Sequence, residues 1–168
     1  LRHIMALRAA GERAKGKEGQ EETMKIYYFC NPTADRHLAK EVWMKLRDAL
    51  KGTAYIANPF YYQNGDAKPE IRALDAGGKP RITDRDIEEM DLELIHMATD
   101  GLIAYLSPNT SHGSAMELWI CDKDLGRPVQ AMGKTTVGDR DEHPWIANRI
   151  HQKYENVYEL IKFIKGEA

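Results

Sequence analysis

Apolar and polar residues alternate along this chain in blocks that switch between strand-like and helix-like spacing from residue 24 onward. Lys25-Ile-Tyr-Tyr-Phe-Cys30 reads as a buried strand stopped by Asn31-Pro32. Asp35 to Leu50 keeps a helical period through Leu38, Val42, Leu46, Ala49 and Leu50, and Gly52 ends it. Ala54 to Ala57 is a short second strand closed by Asn58-Pro59. Residues 60–80 are Gly- and Lys-rich and open with three aromatics, Phe60, Tyr61 and Tyr62; a loop of that length is usually functional or mobile. Thr83 then caps a helix, with Asp86 in a capping-box-like position, that runs to about Ala98. Gly101 to Leu106 is a third strand, Ser114 to Lys123 a helix and Gly126 to Met132 a fourth strand. Terminal helices follow over Pro144 to Ile150 and Glu155 to Ile164. Alternating strand and helix predict an α/β fold around a mostly parallel sheet.

The residues before Met24 are polar, interrupted by glycine and without a sustained apolar period. They read as a flexible extension over 1–23, with residues 24–168 forming one domain.

The junction after the third strand is the richest in chemistry. Ser107-Pro-Asn-Thr-Ser-His-Gly-Ser-Ala-Met-Glu117 carries a polar, Gly-containing loop into a helix with a carboxylate in its first or second turn. In an open α/β sheet, ligands bind at the carboxyl ends of the strands. A Glu there also satisfies the helix dipole, which is worth only about 0.3–1 kcal/mol and makes such acids common. Apolar flanks at Met116, Leu118 and Ile120 argue for a buried setting, and Ser111-His-Gly-Ser114 supplies donors for a phosphate or sugar. At a helix start the Glu117 pKa is expected to be held down, which suits a nucleophile.

A second acid emerges from the preceding helix. At about 100° per residue, Ile87, Met90, Leu94, Ile95, Met97 and Ala98 share an arc with Asp91 near its centre. A carboxylate on an apolar stripe is expensive unless paired, so Asp91 is a functional candidate or a partner of a buried backbone group. Asp86 is the alternative on this helix, and Asp100 orders the turn into the strand. Two carboxylates serving one acetal carbon is the logic of glycosidic bond cleavage.

Composition narrows the partners. The chain has 24 basic and 26 acidic residues and no basic stripe, against polymeric nucleic acid. No apolar run approaches the roughly 20 residues of a membrane span. Cys30 and Cys121 have no metal-ligand spacing and read as buried thiols of a reducing, cytoplasmic compartment. His112 beside the loop is a proton-carrier candidate or a solvated loop residue.

Asp91-Leu-Glu-Leu-Ile95, Thr99-Asp-Gly-Leu-Ile-Ala-Tyr-Leu-Ser-Pro108, Gly113-Ser-Ala-Met-Glu-Leu118 and Gly126-Arg-Pro-Val129, in that order, resemble the nucleoside 2-deoxyribosyltransferase family. That family includes the 2'-deoxynucleoside 5'-phosphate N-hydrolases, and Met24 to Cys30 fits its first strand. The resemblance spans roughly residues 24–132. It implies a flavodoxin-like, doubly wound, mostly parallel sheet with helices on both faces. It implies that Glu117 attacks the anomeric carbon of a small nucleoside or nucleotide, that the base leaves, and that an acceptor base or water resolves the glycosyl-enzyme. Asp91 would orient the nucleophile, and Ser111, Gly113 and Ser114 would contact the 5' end of the sugar. Asn31, Thr33 and Arg36, with Tyr28, would lie over the base or phosphate. No cofactor or metal is implied; a homo-oligomer, dimer or larger, is.

Three features depart from the family pattern. Trp119 stands where glycine is usual. The spacing from Asp91 to Asp100 is one residue longer, which keeps Asp86 as the alternative. Ser111 replaces an acid that in the transferases binds the free 5'-hydroxyl; serine tolerates a phosphate there, so transferase and monophosphate hydrolase both stay open. A nucleotide-sensing module without turnover is the reading from another class.

Overall fold

The computed structural model describes residues 24–30, 35–58, 84–108, 112–133 and 144–167. A five-stranded sheet forms from β1 (Lys25–Cys30), β2 (Ala54–Ala57), β3 (Gly101–Leu106), β4 (Val129–Gly133) and β5 (Gln152–Tyr154). Its order is β2-β1-β3-β4-β5 and every neighbouring pair is parallel. This is the flavodoxin-like order, and the expected fold class is the one observed.

The helices cover both faces because the strands alternate sides with a period of two. Tyr27 and Phe29 of β1, Ile56 of β2 and Ile103 of β3 pack against α1 (Arg36–Ala49) and α5 (Val157–Lys165) through Ala39, Leu46, Leu50, Leu160 and Ile164. Tyr28 and Cys30 point the other way. They join Leu102, Ala104, Val129 and Ala131 beneath α2 (Asp84–Met97) and α3 (His112–Trp119), which contribute Leu94, Ile95 and Leu118. A short α4 (Pro144–Ala147) adds Ile146 to this second core. Burying a side chain such as Phe29 contributes about 1.5–3 kcal/mol.

Several boundaries differ from the sequence expectation. The fourth strand begins at Val129 rather than Gly126, because Gly126 to Pro128 pass the chain out of the helix layer before ladder pairing starts. The helix expected over Ser114 to Lys123 starts at His112 and changes at Ile120 into a π-helical turn, Ile120–Asp124, where Leu125 N–H donates to Ile120 O at 3.0 Å. The helix expected over Pro144 to Ile150 is a single turn. Leu38 and Ala49, placed on the apolar arc of α1, are exposed; Ala39 takes the buried position instead. The fifth strand, β5, was not expected at all. It has three residues, of which only Tyr154 is buried, so it carries almost no periodic signal.

Gly101 opens β3 at φ +120°, and a Cβ there would stand 2.2 Å from the Pro128 carbonyl oxygen. Only glycine allows β3 to lie this close to the approach into β4.

Candidate active site

β1 runs next to β2 on one side and β3 on the other, so the chain leaves β1 in both directions across the sheet. The crevice between β1 and β3 at their carboxyl ends is the topological switch point. Tyr28 and Cys30 sit at that end of β1, and β3 leads through the loop into α3.

Glu117 lies in the second turn of α3, whose first turn holds no acid. The Tyr28 hydroxyl donates to its Oε1 at 3.0 Å. The Cys30 thiol donates to the Ser114 carbonyl oxygen, one turn earlier, at 4.0 Å, and lies within the field of the same carboxylate. Asp91 of α2 is near enough for its charge to act on Glu117, Tyr28 and Cys30 alike. Three elements, β1, α2 and α3, therefore converge on one carboxylate.

Electrostatics at this point overturn one expectation. Burial raises the Glu117 pKa from its ordinary value to about 7. The Cys30 thiol and the Tyr28 hydroxyl pull it down by hydrogen bonding, and the Asp91 charge pushes it up. The helix start does not hold it low, because Glu117 is a full turn inside the helix and its carboxyl group is densely surrounded, although the residue as a whole is partly exposed. Tyr28 and Cys30 are both pushed well above their ordinary values, first by burial and next by the Glu117 charge. Both stay protonated at neutral pH and can only donate.

Of the other residues singled out in the sequence, Ser114 is buried in the first turn of α3, and Gly113 is exposed beside it. His112 is exposed at the helix start. Arg36 opens α1, and Asp86 lies in the first turn of α2; their side chains lie outside the described residues. Asn31, Thr33 and Ser111 lie outside them as well. The charge of Asp91, the favoured of the two α2 candidates, reaches Glu117. Cys30 is buried, as expected, and its thiol lies within the field of Glu117. The only signal in the sequence was its spacing of two residues from Tyr28 on a strand, which puts both side chains on one face.

The surroundings hold this arrangement in place. The Asp100 Oδ2 accepts from Ile26 N at 2.8 Å and from Thr99 Oγ1 at 3.0 Å, tying the turn after α2 to β1 as expected. Arg127 Nη1 donates to the carbonyls of Ile95, His96 and Ala98 at 2.9, 3.0 and 3.1 Å, closing the C-terminal end of the helix that carries Asp91. Trp119 is two residues from Glu117, about 200° around the helix, so it faces away from the carboxylate. Its ring packs on Trp145 with centroids 5.6 Å apart, and the Arg149 guanidinium lies 4.8 Å over it. Arg149 is in turn held by Asp122 at 2.7 Å. Among the described residues, no cluster of three or more His, Cys, Asp or Glu side chains is arranged to hold a metal, and no helix is long and apolar enough to cross a membrane.

Comparison with known proteins gives this geometry a context. The chain superposes on the solved structure of a 2-deoxyribosyltransferase from the psychrotolerant bacterium Bacillus psychrosaccharolyticus with a TM-score of 0.58, covering 81% of this chain and 90% of that one. The fold is shared. At 21% sequence identity the likeness is one of architecture. Neither a family model nor a curated protein matches the sequence.

Proposed function

We propose that this chain breaks the N-glycosidic bond of 2'-deoxynucleosides or their monophosphates and passes the sugar to an acceptor base or to water. The observation that carries this reading is the Glu117 carboxylate, held by Tyr28 at 3.0 Å within the field of Asp91, at the switch point of a fold shared with a 2-deoxyribosyltransferase. Ionised Glu117 attacks the anomeric carbon, the bond to the base breaks, and its electron pair leaves with the base, which takes up a proton. The acceptor then displaces Glu117 from the same carbon and gives up its own proton. Tyr28 fixes the orientation of the attacking carboxylate. Asp91 keeps negative charge close to the developing oxocarbenium ion, which favours bond breaking. The family resemblance assigns the 5' end of the sugar to Ser111, Gly113 and Ser114, and the base or phosphate to Asn31, Thr33 and Arg36.

Ser111 favours a second reading within the same chemistry. A serine in place of an acid admits a 5'-phosphate, and water as acceptor makes the protein a monophosphate N-hydrolase. Incubation with deoxynucleosides and deoxynucleoside 5'-monophosphates, with and without a second base, separates the readings. Base exchange supports transfer. Free base with sugar or sugar phosphate supports hydrolysis. Binding of nucleotide with no turnover supports a sensing module instead, and full activity in Glu117→Ala removes the nucleophile assignment. The expected homo-oligomer belongs to the same proposal and is read by sedimentation at working concentration.

A further inference from the structure

Val129 opens β4, and both of its backbone groups are held by one residue. Its carbonyl accepts from the His151 N–H at 2.9 Å, leading into the β4–β5 ladder, and its own N–H donates to Nδ1 of the His151 ring at 3.1 Å. An imidazole nitrogen accepts only through its lone pair, so Nδ1 carries no proton here and the proton of the neutral ring sits on Nε2. Nε2 stands 3.6 Å from Asp122 Oδ1, in the π-helical turn that follows the helix of Glu117. The other oxygen of that carboxylate, Oδ2, is engaged by Arg149 at 2.7 Å and by Lys123 at 3.3 Å. Lys153, two residues on and on the same side of the strand as His151, adds an exposed cation from β5. The His151 side chain is itself 48% exposed, so solvent reaches it.

We propose that His151 is a pH-operated latch on the β5 edge: as the neutral ring it holds the opening amide of β4, and as the imidazolium it releases that amide and turns to Asp122. A second proton must go on Nδ1, where it would meet the Val129 N–H head on. Two donors cannot bond each other, so that hydrogen bond is lost outright. On the other side of the ring the imidazolium gains a charged partner in Asp122 Oδ1, the oxygen that Arg149 and Lys123 do not use. The ring thus has two discrete arrangements, and its proton selects between them. Val129 is fully buried, so its released N–H meets water only if the edge opens. β5 offers little resistance, because only one of its three residues, Tyr154, is buried. Protonation and opening of the edge are therefore coupled, whatever reaction Glu117 performs.

NMR on the full chain tests this. Long-range proton–nitrogen spectra of the imidazoles, with His151→Asn assigning the signal, are expected to show Nε2 protonated and Nδ1 bare while the ring is neutral. On acidification the Val129 amide is expected to lose about tenfold in hydrogen-exchange protection, measured against the intrinsic rate at each pH, with the same midpoint as the ring. Asparagine puts an amide oxygen where Nδ1 stands and does not titrate, so His151→Asn is expected to keep that protection flat over the same range. His151→Phe, which has no acceptor, is expected to show the low protection at every pH. A neutral ring with its proton on Nδ1 overturns the proposal. So does a Val129 amide that stays equally protected through the titration of the ring, or one whose acid loss survives in His151→Asn. A loss spread evenly over all strands, β1 included, reports global unfolding and overturns it as well.

Discussion

The Tyr28 hydroxyl donates to Glu117 Oε1 at 3.0 Å, joining the first strand of the sheet to the helix that follows the third across 89 residues of sequence. Tyr28 has no solvent exposure, and its proton is held far more firmly than in a free phenol, so the donor is permanent at working pH. A permanent donor favours the ionised form of its acceptor. Tyr28→Phe keeps the ring and removes that donor. The acid limb of kcat/KM is expected to rise by about one unit, from an apparent pKa near 7, with the loss of rate largest below neutral pH and recovering in alkaline buffer. A pH–rate profile of both proteins checks it.

Glu117 also ties stability to pH. Its folded pKa is about 7 against an ordinary value of 4.5, so the folded state prefers the protonated form. The sign follows directly: this contribution is fully present below about pH 4.5, is lost as pH rises through 7, and is absent above it. Glu117→Gln removes the charge and with it the loss. The variant is expected to gain stability relative to the wild type between about pH 4.5 and 7, reaching a plateau of about 3 kcal/mol above that range. Urea unfolding of both proteins at pH 4, 6 and 8 measures the gap. A pH-independent difference sinks the claim that Glu117 is desolvated.

The same substitution is expected to cost at least about a thousandfold in turnover, since it removes the proposed nucleophile. Stability gained and activity lost at one residue mark a group kept for chemistry rather than for folding.

Much of the architecture was legible in the sequence because β1, β3 and α1 to α3 have strong periodic signals and clear stops. The carboxylates were legible for different reasons. Glu117 stood out by its place after a strand, Asp91 by sitting on an apolar arc between Ile87 and Ile95. What the sequence could not supply was the environment of each. The pKa of Glu117 depends on how densely β1 and α2 enclose it, and no local pattern encodes that packing. The place of Cys30 near Glu117 is hidden in the sequence for the same reason: a buried thiol on a strand looks alike whatever it faces. β5 escaped because a three-residue edge strand owes its form to pairing with β4 and to the Tyr154 hydroxyl, which donates to Gln130 Oε1 at 3.3 Å.

Arg127 fixes the end of the helix that carries Asp91. Its three hydrogen bonds to the Ile95, His96 and Ala98 carbonyls satisfy groups that a helix end leaves open, and its charge matches the negative end of the dipole. Arg127→Ala is expected to lose about 2 kcal/mol in urea unfolding. Arg127→Lys is expected to recover only part, because it keeps the charge at the helix end but on a shorter side chain whose ammonium cannot occupy the position of Nη1.

Trp119 occupies the position where the resembled family usually has glycine, and its contacts say that it braces the helix layer. The ring lies between Trp145 of α4 and the Arg149 guanidinium, which Asp122 holds from the π-helical turn, so one side chain links α3, α4 and the approach to β5. It faces about 200° away from Glu117 on α3. Truncation should therefore act on folding and leave the chemistry alone. Trp119→Ala is expected to lower stability by about 2 kcal/mol, less than for a fully buried tryptophan because the ring is only half-buried. The acid limb of the rate profile and the KM for nucleoside are expected to stay where they are. Arg149→Ala, which leaves the Asp122 carboxylate without its closest cation, is expected to destabilise similarly, and the double variant should lose less than the sum of the two. A shift in KM in Trp119→Ala with stability unchanged places the ring in the pocket instead and overturns this assignment.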